Sequence, residues 1–142
     1  IGERNETVKI TNADQYNDYY GTVITQDSAL LKGGDKTYKW GITNNKSQSM
    51  ATLGCYLLPQ GKYTRFVAST YVDEDVKADL VLDIRKDTFN GPVLKSYTLV
   101  PGETVNIEAD ITGVSKLYIT TEVKTNHDNV NKFIIGEPVF MN

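Results

Sequence analysis

The sequence has one cysteine, one tryptophan, one histidine and no long apolar run. A single cysteine excludes an intramolecular disulfide and a thiolate metal cluster, so core packing must hold the fold together. No apolar stretch approaches the ~20 residues that a membrane-spanning helix requires. Lysine and arginine form no cluster, and the net charge is −3. Because nucleic-acid affinity depends on clustered cations, we expect no nucleic-acid partner. The lack of a long apolar run likewise leads us to expect no membrane insertion.

The length of 142 residues fits one domain with one core. We therefore expect residues 1–142 to form a single domain. The polar start Ile1-Gly2-Glu3 has no Met and does not resemble a signal peptide. We expect the chain to be a fragment of a larger protein, and this start is compatible with a secreted or surface parent.

Apolar and polar residues alternate along many short segments, which is the pattern of strands with one dry face. One pair of segments surrounds an acidic turn of Asp73, Glu74 and Asp75. The core-facing positions are Phe66, Ala68, Thr70 and Val72 before the turn, and Leu80, Leu82 and Ile84 after it. We predict that these two segments form a hairpin.

The same alternation recurs in residues 103–111 and 116–123, and a last strand is predicted over residues 133–140. Pro138 in that strand favours an edge position or a bulge, since proline cannot donate to a ladder. About eight to ten strands at intervals of roughly 8–12 residues indicate an all-β chain. We predict an antiparallel β-sandwich.

Four segments together resemble bacterial NPCBM-like domains, which include carbohydrate-binding modules of family 51. These segments are Thr37-Tyr-Lys-Trp-Gly41, Gly61-Lys-Tyr-Thr-Arg-Phe66, Val72-Asp-Glu-Asp75 and Ala109-Asp-Ile-Thr-Gly-Val-Ser-Lys-Leu117. The resemblance covers about residues 36–140. It implies a jelly-roll (galactose-binding-like) topology and a noncatalytic module that binds a terminal sugar through loops at one end, often with calcium nearby. It also implies a bacterial secreted or cell-surface parent protein with other domains.

The sequence departs from the family pattern before the last strand, where the family commonly carries a His followed closely by a Trp. Here His127 and Asn129 are followed by Lys132-Phe-Ile-Ile without a Trp, and Tyr71 replaces the usual Gly before the acidic turn. The missing Trp favours an alternative hypothesis, in which the module is degenerate. It would then act as a spacer or protein-interaction domain on the cell surface.

A sugar site needs an aromatic ring for the C–H face of the sugar and polar groups for its hydroxyls. The candidate sugar-binding residues are Trp40, Asp73, Glu74, His127 and Asn129. Each has a simpler alternative: Trp40 can pack within a strand, the acidic turn can blunt the end of a hairpin, and His127 can lie in a solvated loop.

Calcium takes six to eight oxygen ligands, and the run Asp73–Asp75 lacks the spaced glycines of a dedicated calcium loop. Jelly rolls of this type place a calcium between N-terminal loops and an acidic residue of the final strand. Asp27 and Glu137 are therefore the candidate metal ligands, and no other cofactor is expected.

Enzymatic activity is not expected from the sequence. The 18 acidic residues are scattered over turns, and no pair is singled out as facing each other across a cleft. Cys55 is interpreted as a small buried apolar residue rather than a nucleophile.

Overall fold

A computed structural model describes residues 7–44, 52–123 and 132–142 of the protein. These residues form antiparallel strands and one short 3-10 helix at Ala13–Gln15. The strands are β1 Thr7–Lys9, β2 Tyr16–Tyr20, β3 Thr22–Thr25, β4 Lys32–Gly33, β5 Lys36–Thr37, β6 Gly41–Asn44, β7 Thr52–Leu57, β8 Arg65–Val72, β9 Leu80–Lys86, β10 Val93–Leu99, β11 Thr104–Asp110, β12 Leu117–Val123 and β13 Phe133–Met141. Within the described residues, no helix has the length and apolar character needed to cross a membrane.

Two sheets pack face to face. Sheet A has the order β11-β8-β13-β6-β3, with β1 also paired to β13, and sheet B has the order β10-β9-β12-β7-β2. From β6 onward, every connection except that between β9 and β10 passes from one sheet to the other. The predicted antiparallel β-sandwich with jelly-roll topology is confirmed.

The core lies between the sheets, where the alternating apolar residues meet. Phe66, Phe133 and Phe140 are the largest of the fully buried side chains. The predicted core-facing rows of residues 66–72 and 80–84 are buried as expected. Cys55 is also fully buried, and burial raises the pKa of its thiol, so its interpretation as an apolar core residue is confirmed.

The predicted hairpin around the acidic turn is wrong. β8 lies in sheet A between β11 and β13, whereas β9 lies in sheet B between β10 and β12. The connection 73–79 therefore arches from one sheet to the other, and the two dry faces meet across the core. Alternation is the same in a hairpin and in an arch, because each strand needs only one dry face.

Pro138 lies at a bulge, which confirms one of the two predicted alternatives. The register of β13 against β8 shifts between Gly136 and Val139. The edge alternative is wrong, because β13 is central and pairs with both β8 and β6. Glu137 adopts a positive φ of 50° in this bulge, and its N–H donates to the Trp40 carbonyl at 2.9 Å.

The two ends of the sandwich differ in the connections they carry. The turns 73–79 and 100–103 lie at one end, called here the loop end, where the Gly102 N–H donates to the Val72 carbonyl at 2.8 Å. Val123 pairs with Leu80, so β12 also finishes at the loop end. The opposite end, where β8 begins at Arg65, is called the base.

A second, smaller cluster covers the outer face of sheet A. It comprises the buried residues Leu31, Tyr38, Tyr71 and Ile134. The Tyr38 ring lies against Gly136, where an added Cβ would come within 2.5–2.6 Å of three ring carbons. Gly136 is therefore required by packing.

We expect Gly136→Ala to destabilise the fold by about 1–3 kcal/mol, because the new methyl group overpacks the Tyr38 ring. Urea unfolding measures the free energy of unfolding. Tyr38→Ala provides the matched background, since it removes the ring that Cβ would meet. In that background Gly136→Ala should stabilise the fold by roughly 0.4–1 kcal/mol, because alanine lowers the conformational entropy of the unfolded chain. If Gly136→Ala destabilised the fold equally in both backgrounds, contact with the Tyr38 ring would not be the cause.

Candidate functional site at the loop end

Asp73 and Glu74 follow β8 at the loop end, and backbone hydrogen bonds hold their turn. The Asp73 N–H donates to the Lys132 carbonyl at 3.0 Å, and the Val76 N–H donates to the Asp73 carbonyl at 3.1 Å. The Asp73 carboxylate accepts the Asp75 N–H at 3.1 Å. Glu74 is exposed, and its Cβ lies beside Gly102.

The loop end has a negative electrostatic character. Burial raises the pKa of Tyr71, and the carboxylates of Glu74, Asp73, Asp35 and Asp75 add to this rise. Carboxylates are acceptors only, so this surface is suited to hydroxyl donors or to a cation. Sugar hydroxyls are donors of this kind.

Two polar residues that fix this end had no predicted role. The Lys132 ammonium donates to the Lys32 carbonyl at 2.9 Å, which ties the start of β13 to the β4–β5 hairpin. Asn44 is buried at the end of β6, and its side-chain oxygen accepts the Phe133 N–H at 2.9 Å. An amide that ends a strand is a weak signal for such a cap, and no sequence signal marks Lys132.

His127 and Asn129 lie outside the described residues. The described positions that flank them, Val123 and Lys132, are both at the loop end. Their participation in the same site as Asp73 remains a prediction.

The structure places Trp40 apart from the acidic turn. Trp40 neighbours Glu137 on β13, whereas Asp73 neighbours Lys132, and these two positions are five residues or roughly 16 Å apart along a strand. Trp40 is only 9% exposed, and its indole N–H donates to the Pro138 carbonyl at 3.1 Å. The Lys9 ammonium lies 4.9 Å from the ring centroid. This arrangement favours the strand-packing alternative over a sugar platform.

Asp27 and Glu137 have separate local roles. The Asp27 carboxylate accepts the Ala29 N–H at 3.0 Å, and the Glu137 carboxylate accepts the Lys39 N–H at 3.3 Å. Among the described residues, no three His, Cys, Asp or Glu side chains converge as a metal-binding group. A calcium ion at these two residues would therefore need most of its oxygens from backbone carbonyls and water.

Over nearly all of its length, the chain has the fold of carbohydrate-binding modules. It is similar to a family 51 module from Clostridium perfringens GH95 solved in complex with methyl-galactose, with TM-score 0.67 and 16% identity over 95% of this chain and 99% of that one. It is also similar to the family 51 modules of Clostridium perfringens ZmpB, solved with the M60 catalytic domain, at TM-score 0.68 and 14% identity over 96% of this chain. The chain spans only 15% of that larger structure.

The CBM22-1 xylan-binding domain of Paenibacillus barcinonensis Xyn10C is also similar, with TM-score 0.57 and 10% identity over 96% of this chain and 92% of that one. No family model matches the sequence, and no curated protein matches it significantly. The resemblance to family 51 modules is therefore confirmed at the level of the fold.

We expect the single Trp40 to emit as a buried indole and to be quenched poorly by iodide, because its ring is covered by Lys9 and β13. Adding galactose or methyl-galactose should leave the emission maximum unchanged. Free tryptophan amide measured in the same buffers is the control for direct effects of the sugars. A sugar-dependent shift of the protein alone would restore Trp40 as a platform.

Proposed function

We propose that the chain is a noncatalytic carbohydrate-binding module that recognises a terminal sugar through its loop end. The observation that carries the proposal is the similarity over nearly the full length of both chains to a module solved with methyl-galactose. The anchored acidic turn supports it, because the Asp73 N–H donates to the Lys132 carbonyl just before β13 and Glu74 follows as an exposed carboxylate.

In this proposal Glu74 and Asp73 accept hydrogen bonds from sugar hydroxyls, and His127 and Asn129 supply further polar contacts. The module keeps a bacterial secreted or cell-surface parent protein close to its glycan. No catalytic step is proposed, since Asp73 and Glu74 are neighbours on one turn, whereas a glycosidase needs carboxylates on both sides of the scissile bond.

The alternative is a degenerate module that acts as a spacer or as a protein-interaction domain. One observation favours it: among the loop-end side chains that the structure describes, the aromatic residue beside the acidic turn, Tyr71, is buried. A sugar site there would depend on hydrogen bonds more than on stacking.

A glycan array distinguishes the two functions, and we expect binding to glycans that end in galactose or a related sugar. Asp73→Asn/Glu74→Gln should weaken this binding by roughly tenfold or more, because charge-assisted hydrogen bonds are lost. The control is Asp14→Asn, which removes an exposed carboxylate just before β2, near the base. An array with no bound glycan, read with protein of unchanged melting temperature, would support the spacer function.

We propose separately that any calcium is structural and is held with the help of Asp27 and Glu137. The Glu137 carboxylate accepts only the Lys39 N–H among the described residues, which leaves it lone pairs for a cation. Glu137 also has the uncommon positive φ that often marks functional positions.

If calcium binds there, excess calcium should raise the melting temperature by a few degrees, and a chelator should reverse the rise, because the ion binds only the folded state. Glu137→Gln keeps an acceptor for Lys39 but should abolish the shift. Glu122→Gln is the control and should retain it. A melting temperature that does not respond to calcium in the unmodified chain would exclude the site.

A further inference from the structure

A cavity of about 810 Å³ opens at the base of the sandwich, between the edge strands β10 and β11. It is lined by the first residues of β8 and β10 and by the last residues of β9 and β11. β8 runs from Arg65 at this cavity to Val72 beside the acidic turn, a length of roughly 23 Å. The cavity is therefore separate from the loop-end site.

The walls of the cavity are fixed by hydrogen bonds between the two sheets and within a turn. The Tyr97 hydroxyl of β10 donates to the Glu108 carbonyl of β11 at 2.9 Å and accepts the Glu108 N–H at 3.0 Å. The Asp110 carboxylate accepts the Thr112 N–H at 3.0 Å and its hydroxyl at 2.7 Å. The space is preformed, as ligand pockets usually are.

Two lysines of the cavity occupy core-facing positions of sheet B. Lys86 pairs with the buried Leu117, and Lys95 pairs with the buried Ile84. Directly opposed residues of an antiparallel pair point to the same face, so both lysines lie on the core side of the sheet. Lys86 is half-buried there, whereas Lys95 follows the register shift of β10 and is exposed at the rim of the cavity.

The anions of the cavity already have partners. Glu108 pairs with Arg65, and Asp110 accepts both donors of Thr112. These hydrogen bonds lower the pKa of Asp110 and keep it charged. The described residues give Lys86 and Lys95 no ion pair. The cavity thus has two unpaired cations in a chain whose net charge is −3.

The remaining lining is suited to a sugar. Half-buried Leu94, with the buried Ala109 and Val114 behind it, provides apolar contact for C–H groups. The hydroxyls of Thr64 and Thr112 donate to Met141 and Asp110 and can still accept a hydrogen bond. We propose that this cavity binds an acidic sugar, carrying a carboxylate or a sulfate, with the anionic group between Lys86 and Lys95. This would be a second ligand site, independent of the terminal-sugar site at the loop end.

Calorimetric titration with trigalacturonate, with a sulfated galactose disaccharide and with neutral galactotriose tests the proposal. At least one acidic probe should bind roughly tenfold or more tightly than the neutral one, and its affinity should fall between about 50 and about 300 mM salt, because the contact is ionic. Lys86→Gln/Lys95→Gln should reduce acidic binding by roughly tenfold or more. Lys32→Gln/Lys36→Gln, which removes two exposed cations of the β4–β5 hairpin far from the base, should leave it unchanged.

The proposal is overturned if neither acidic probe binds, if the neutral probe binds equally well, or if both double variants lose binding equally. It is also overturned if inorganic sulfate competes as well as the acidic sugars, since the site would then hold an ion only. Lys95→Gln alone, at an exposed position, repeats the test if the double variant fails to fold. Asp73→Asn/Glu74→Gln should leave the binding of acidic sugars unchanged, so the proposals for the cavity and for the loop end can be refuted independently.

Discussion

The central position of β13 is the constraint on which sheet A depends. β13 pairs with β8 on one side and with β6 on the other, and β1 adds to its second half. Proline can occupy such a strand only where a ladder hydrogen bond is missing, and the bulge at Gly136–Val139 provides that place. The same bulge directs the Glu137 N–H to the Trp40 carbonyl, and the Pro138 carbonyl accepts both the indole N–H of Trp40 and the N–H of Ile10. One irregularity thus joins β13 to the segment before β6.

The alternation of apolar and polar residues was sufficient to predict the strands and their buried faces, but not to predict which strands pair with each other. Phe66–Val72 and Leu80–Ile84 have the same pattern whether they pair side by side or face each other across the core. Only long-range pairing, β8 with β11 and β13, distinguishes the two arrangements. Lys86 at the base illustrates the same limit: it continues the row of Leu80, Leu82 and Ile84, but a lysine after the last apolar residue gives no signal that the strand goes on.

The acidic turn could be predicted from the sequence, because its residues are consecutive. Trp40 could not be placed, because what covers its ring is distant in the sequence. Lys9 lies 31 residues before it, and Pro138, which accepts its N–H, lies 98 residues after it. The neighbours of Trp40 in the sequence, such as Tyr38 and Gly41, do not indicate whether its ring is buried or exposed. The roles of Asn44 and Lys132 depend in the same way on distant partners, namely the Phe133 N–H and the Lys32 carbonyl.

The antiparallel pairing of Thr7 with Met141 has a mechanical consequence. The two strands meet at the base, so tension applied to both pulls them apart sideways rather than sliding them past each other. The hydrogen bonds of β1 are then loaded one after another, which is the weaker direction of a ladder. Under a pulling force β1 should detach first, while the core-spanning strands and the acidic turn at the far end remain folded.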